Sequence, residues 1–145
     1  MISLYETRLL VKNISHLERH RRKFVNERLK GDDLRGTMYL ALLCLHHSPG
    51  SSQDKLCSDL LIDKGNAARL CRQLEDAGYI TRQQSPEDRR QNMLFLTEQG
   101  KKEIPVICEL IDEWYVSATE GLTEEEADTL YRVLLRMKEN TDNFS

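Results

Sequence analysis

No apolar run in this chain approaches the length needed to cross a bilayer, and no signal-peptide pattern opens it, so a cytoplasmic protein with no membrane contact is expected. There is no Gly-rich phosphate loop, no metal triad and no Ser/His/Asp set with a local signature, which argues against an enzyme and leaves no cofactor to expect. Cysteine occurs four times (Cys44, Cys57, Cys71, Cys108) but never as Cys-x-x-Cys. Scattered through helical patterns, these read as buried reduced thiols, with Cys57 and Cys71 at core positions. An excess of positive charge is also missing: the net charge of −3 has the wrong sign for a simple nucleic-acid binder. The distribution of charge matters more than its sum. Residues 1–30 carry 8 Lys/Arg against 3 acids, residues 31–102 carry 10 of each, and residues 103–145 carry 3 against 11. The acid gathers in the C-terminal third and leaves the centre free to present a local basic surface.

The centre is where the pattern is richest. Asp63 reads as a helix N-cap, and Ala67, Leu70, Cys71, Leu74 and Ala77 follow at helical spacing as a buried face. Gly78 is the expected stop. Upstream, Ser51-Ser52-Gln53-Asp54 has the Ser-x-x-Asp form of a cap, followed by Leu56, Cys57 and Leu60 as a second buried face. Two short helices joined by a tight turn, the second rich in Arg, Asn and Gln, describe a helix-turn-helix. The outward set on the second helix is Lys64, Gly65, Asn66, Ala68, Arg69, Arg72 and Gln73. Arg69 can donate to O6 and N7 of guanine, while Asn66 and Gln73 can pair with adenine edges. Ser52, Gln53, Lys55 and Lys64 suit phosphates.

Strand candidates follow at 79–83 and 92–96, with the turn-forming segment Ser85-Pro86-Glu87-Asp88-Arg89-Arg90-Gln91 between them. A helix-turn-helix followed by a hairpin with a basic tip is a winged helix. The order Leu74-Glu75-Asp76-Ala77-Gly78-Tyr79-Ile80 with Arg82, then Pro86-Glu87-Asp88-Arg89-Arg90, then Leu96-Thr97-Glu98 with Gly100, closely resembles the multiple antibiotic resistance regulator (MarR) family of bacterial repressors. The resemblance extends over nearly the whole chain. It implies that Arg90 enters the minor groove braced by an ion pair from Asp88, that Arg89 contacts phosphate, and that Gln91 belongs to the same wing set. It also implies a departure: Leu61 stands where relatives often carry glycine, so a turn without a left-handed residue is expected there.

On either side of this centre lie helices. Residues 4–30 contain no Gly or Pro, and Leu10, Ile14, Leu17 and Phe24 mark one stripe. The run Arg19-His20-Arg21-Arg22-Lys23 reads as a solvated face, with phosphate or anionic-ligand contact as the alternative. His16 and His20, at i and i+4, could share a metal, but no third ligand is near in sequence, so no metal is expected. Gly31-Asp32-Asp33 is a connector, and Leu34 to His47 reads as an almost wholly apolar helix broken by Ser48-Pro49-Gly50. Thr97 caps a helix to about Ala118 with the stripe Ile104, Ile107, Ile111, Trp114 and Ala118, and with Pro105 inside it. Thr123-Glu124-Glu125-Glu126 then opens a last helix as a capping box, with the stripe Ala127, Leu130, Leu134 and Met137.

By resemblance, the first helix and the last two interlock with a second copy. The expected fold is therefore all-α with a small β-hairpin wing, in which residues 1–33 and 98–145 dimerise and residues 34–97 form the winged helix-turn-helix. The expected function is a homodimeric repressor of a palindromic operator on double-stranded DNA. The resemblance also implies modulation by a small aromatic or amphipathic ligand, in a cleft lined by His16, His20, Met38, Leu42, Trp114 and Tyr115. Relatives that sense peroxide use a cysteine near the start of the first helix, and relatives that bind zinc use histidines on the long later helix; this chain has neither. A winged helix used only for protein contact and a cysteine redox sensor stand as the alternatives.

Overall fold

The structure, a computed structural model, describes residues 1–29 and 34–144, so the connector expected at Gly31-Asp32-Asp33 lies outside the described residues. Eight elements follow in order: α1 (Leu4–Arg28), α2 (Met38–His47), α3 (Gln53–Leu60), α4 (Lys64–Asp76), β1 (Ile80–Gln84), β2 (Asn92–Leu96), α5 (Glu98–Ala118) and α6 (Glu124–Asp142). The expected class holds: the chain is mostly helical with one two-stranded antiparallel hairpin. It divides into two compact units, residues 1–111 and residues 112–145. No helix among the described residues is long and apolar enough to cross a membrane.

In the first unit the core forms where apolar residues of the helices and of both strands meet, Ile80 of β1 among them. Val25 of α1, Tyr39, Ala41, Leu42 and Leu45 of α2, Leu56 of α3, Leu70, Cys71 and Leu74 of α4, Leu94 of β2, and Ile104 and Ile107 of α5 are all buried. The apolar α2 sits among them, as its composition requires. It begins at Met38 and not at Leu34, because Gly36 takes φ +69° and a helix cannot run through a left-handed residue. The basic run on α1 is partly tied down. Glu18 accepts from Arg21 at 2.6 Å and from Arg22 at 3.1 Å, and Arg21 Nη1 donates to the buried Tyr39 hydroxyl at 3.0 Å.

The hairpin pairs Ile80 with Leu96 and Gln84 with Asn92 at its two ends. The other edge of β2 is occupied as well. Gly50 N–H donates to Leu94 O and Leu94 N–H to Ser51 O, both at 2.9 Å, so the link between α2 and α3 holds the wing on its free side. That pairing explains why Ser52, not Ser51, caps α3. Ser51 is committed to β2 through its backbone, and its hydroxyl donates to Ser48 O at 2.6 Å. Ser52 Oγ accepts the Lys55 N–H instead.

At the end of α4, Gly78 N–H reaches Glu75 O at 3.0 Å and Tyr79 N–H reaches Leu74 O at 2.9 Å, the paired closure of a helix stop with glycine at φ +84°. Tyr79 is thereby used by the stop, and β1 starts one residue later than expected. Thr97 ties this stop to α5. Its hydroxyl donates to Gly78 O at 2.6 Å and accepts the Gly100 N–H at 3.0 Å.

In the second unit, Gly121 at φ +86° precedes α6, and Thr123 and Glu126 close the expected capping box in both directions. The stripe Leu130, Leu134 and Met137 on α6 is exposed, as are Leu10, Ile14 and Leu17 on α1 in the first unit.

Candidate nucleic-acid interface

The turn between α3 and α4 departs from expectation. Leu61 has φ 53° and ψ 41°, so it is left-handed despite its side chain, and it is the one non-glycine residue with positive φ among the described residues. Leu61 N–H donates to Ser58 O and Ile62 N–H to Cys57 O. These bonds close α3 and impose the conformation that glycine would accept without strain. The Cys57 thiol donates to Ile62 O at 2.7 Å, adding a side-chain clasp to the same turn.

From this turn Asp63 caps α4, its Oδ1 accepting the Asn66 backbone N–H at 2.8 Å. That bond is the main reason the Asp63 carboxyl titrates below its ordinary range. Ala67, Leu70, Cys71 and Leu74 are buried and Ala77 is half-buried, so the expected core face of α4 is the observed one. The opposite face carries Lys64, Gly65, Asn66, Arg69, Arg72 and Gln73, all exposed, with the half-buried Ala68 beside them. Asn66, Arg69 and Gln73 stand at i, i+3 and i+7 on one ridge. They are not independent: Arg69 Nη2 donates to Asn66 Oδ1 at 2.7 Å.

On α3, Ser52 and Gln53 lie at the N-terminus, where unpaired backbone N–H groups favour an anion. Lys55 is ion-paired with Asp59 at 2.8 Å, an exposed i,i+4 contact that a phosphate can displace, since such pairs contribute only about 0.3–0.5 kcal/mol.

The wing tip is organised by backbone and small side chains. Ser85 N–H donates to Gln91 O at 2.9 Å, Gln91 N–H to Asp88 O at 3.0 Å, and Gln84 Nε2 to Arg89 O at 2.9 Å. Asp88 does brace Arg90, but not through the expected ion pair. Its carboxylate accepts the Arg90 backbone N–H at 2.9 Å, the geometry by which a short acid stabilises a turn. Both guanidiniums at the tip are thus left exposed, and neither forms an ion pair among the described residues.

The sequence reading missed Arg82. Its Nε pairs with Glu75 of α4 at 3.0 Å and its Nη1 reaches Gln53 of α3 at 3.4 Å, so one β1 side chain joins both helices of the motif to the wing. Its place in the Tyr79-Ile80-x-Arg82 order was the available signal. Strand and helix positions seven residues apart gave no reason to pair it with Glu75.

The residues expected to line a ligand cleft fare unevenly. Leu42 is a correction: it has no exposed surface and belongs to the core between Tyr39 and Leu45, because α2 is covered on several sides. Met38 is half-buried, and His16 and His20 are exposed with ring centroids 6.2 Å apart. In the second unit Trp114 is half-buried and Tyr115 exposed. A cavity of about 680 Å³ in the first unit uses none of the six. Its walls include Leu45 and His46 of α2, Phe95 of β2, and Lys101, Ile104 and Pro105 of α5. Among the described residues no group of three His, Cys, Asp or Glu could hold a metal ion.

The cysteines are free, and only Cys71 is fully buried. Burial raises the Cys71 and Cys44 thiols above their usual range, which disfavours the reactive thiolate. Cys108 corrects the expectation of four buried thiols, since it lies on the exposed side of α5.

Comparison with known proteins agrees with this geometry. Residues 35–91 match the model of the MarR family. The HTH-type transcriptional regulator YybA of Bacillus subtilis is 29% identical over 133 residues, covering 92% of this chain and 89% of its own. A crystal structure of MarR is 32% identical, with a TM-score of 0.82 and coverage of 93% of this chain and 98% of that one. A MarR family transcriptional regulator from Listeria monocytogenes, solved in complex with a 26mer DNA, is 27% identical with a TM-score of 0.85, covering 97% of this chain and 89% of that one.

Proposed function

The chain belongs to the MarR family of transcriptional regulators, and from that premise we propose that it is a homodimeric repressor of a palindromic operator, released by a small ligand. Such regulators are transcription factors and not enzymes. The observation that carries the DNA reading is the outward ridge Asn66–Arg69–Gln73 together with a wing tip whose two arginines have no acidic partner among the described residues. Arg69 contacts guanine in the major groove, Lys64, Lys55, Ser52 and Gln53 hold phosphates, and the wing follows the backbone with Arg89 and enters the minor groove with Arg90. The relative solved with a 26mer DNA, at 27% identity, supports this use of the fold.

Dimerisation is supported by the apolar stripes left exposed on α1 and α6. A two-fold pair of α4 helices then reads half-sites about one helical turn, roughly 34 Å, apart. For the ligand, the resemblance supports an amphipathic aromatic compound.

The test is fluorescence anisotropy on sites selected from random DNA by the native protein, measured across a salt series on A·T-rich and G·C-rich flanks. Arg69→Ala should cost about 1–3 kcal/mol and relax preference at one base pair. Arg90→Ala should weaken binding most on A·T-rich flanks and lower the salt slope by up to about one unit. A winged helix used only for protein contact predicts no selected sequence at all.

A further inference from the structure

Asn66 looks like a base reader by residue type, yet both ends of its amide are already engaged. Asp63 Oδ2 accepts from Asn66 Nδ2 at 2.5 Å, and Asn66 Oδ1 accepts from Arg69 Nη2 at 2.7 Å. Asp63 uses its other oxygen to cap the helix through the Asn66 backbone N–H at 2.8 Å. A carboxylate can only accept and a guanidinium can only donate, so the amide between them fits one way round. Turned over, it would set oxygen against oxygen and N–H against N–H. Positions 63, 66 and 69 are spaced by three, so the chain of bonds runs along one ridge of the helix.

We propose that Asn66 is a positioning residue and not a base reader: with Asp63 it forms a polar relay that fixes the Arg69 guanidinium for one guanine. Selectivity at that base pair then depends on three side chains, of which only Arg69 touches DNA. The inference rests on the reading of Arg69 as a base contact.

The chemistry permits both contacts at once. A bidentate contact to guanine takes one N–H from each of two guanidinium nitrogens, and Nη2 has a second N–H to give Asn66. Arginine also has much rotamer freedom to lose on binding, so a guanidinium held in place beforehand binds with less ordering left to do. Adenine, by contrast, would have to compete with two bonds to the Asn66 amide, one of them to a charged carboxylate.

The experiment uses the native protein's own selected DNA site and a panel of that site with each base pair changed in turn. Arg69→Ala identifies the base pair that Arg69 reads. Asn66→Ala should weaken binding about 5-fold, the worth of one hydrogen bond, with the lost selectivity confined to that same base pair. The double variant should bind no more weakly than Arg69→Ala alone.

Asp63→Asn is the second arm. It keeps an oxygen for the helix cap, so the melting temperature should hold. Its amide can now offer N–H to Asn66, which lets Asn66 turn its own N–H toward Arg69, and selectivity at the Arg69 base pair should fall. Loss of selectivity at a different base pair in Asn66→Ala, or losses that add in the double variant, would show that Asn66 reads its own base and would overturn the relay. An Arg69→Ala variant with unchanged preference at every base pair would overturn the relay together with the major-groove reading beneath it.

Discussion

Leu61 carries more backbone strain than its surroundings offset. Its side chain is 92% exposed, so it stabilises nothing by burial, while its φ of 53° sets Cβ against the following carbonyl. Left-handed backbone costs a non-glycine residue about 1–2 kcal/mol, and glycine's greater freedom in the unfolded chain offsets about 0.5–1 of that. Leu61→Gly should therefore stabilise the protein by roughly 0.5–1 kcal/mol, read as a higher urea midpoint at unchanged slope. A lower midpoint would mean that Leu61 has a folded-state contact absent from this structure. The same residue shows where a sequence stops being legible. The presence of leucine suggests a turn that avoids the left-handed region, yet the hydrogen bonds closing α3 decide φ, whichever side chain sits there. Residue type reports a preference; the flanking caps can override it. Asn66 is the companion case, since its type suggests a base contact and only its neighbours show that the amide is occupied.

At the scale of elements the helices were readable because burial repeats at helical spacing. The α4 face of Ala67, Leu70, Cys71 and Leu74 and the capping box of α6 are local signals. What could not be read were side-chain and backbone bonds between different elements: Gly50 and Ser51 on β2, Arg82 on Glu75, and Thr97 on Gly78. These fix the wing against the helix-turn-helix, so the hairpin's two arginines are presented from a braced support. Gly100 is the tightest point of that bracing. A Cβ there would fall on the carbonyl oxygen of Tyr79, a backbone atom with no rotamer to escape into. Gly100→Ala should destabilise by about 1–3 kcal/mol, the usual cost of overpacking. It should also weaken DNA binding, because the stop of α4 and the start of α5 must move apart. A urea midpoint equal to the native protein's would show that α5 can shift without disturbing the wing.

For the whole molecule the telling fact is what stays uncovered. None of the described residues of α6 is buried, although Leu130, Leu134 and Met137 recur on one side. An isolated helix of this length is marginal in water, so its apolar face needs cover to hold it folded. On α1 the stripe of Leu10, Ile14 and Leu17 is likewise exposed. A second copy is the occupant that the family reading supplies, and mass action then makes stability depend on concentration. For a dimer that unfolds to monomers, each tenfold rise in concentration should add about 1.4 kcal/mol to apparent stability, and the melting temperature should climb with it. Leu134→Glu places a charge in the middle of the α6 stripe, and should turn the protein into a monomer at micromolar concentration. That monomer should lose the advantage of the palindrome, binding a full site and a single half-site with similar affinity, because the gain from a second half-site comes from tethering two readers and not from new contacts within one. Analytical ultracentrifugation beside anisotropy on both DNA lengths checks this. A Leu134→Glu protein that still sediments as a dimer and still prefers the palindrome would place the interface away from α6.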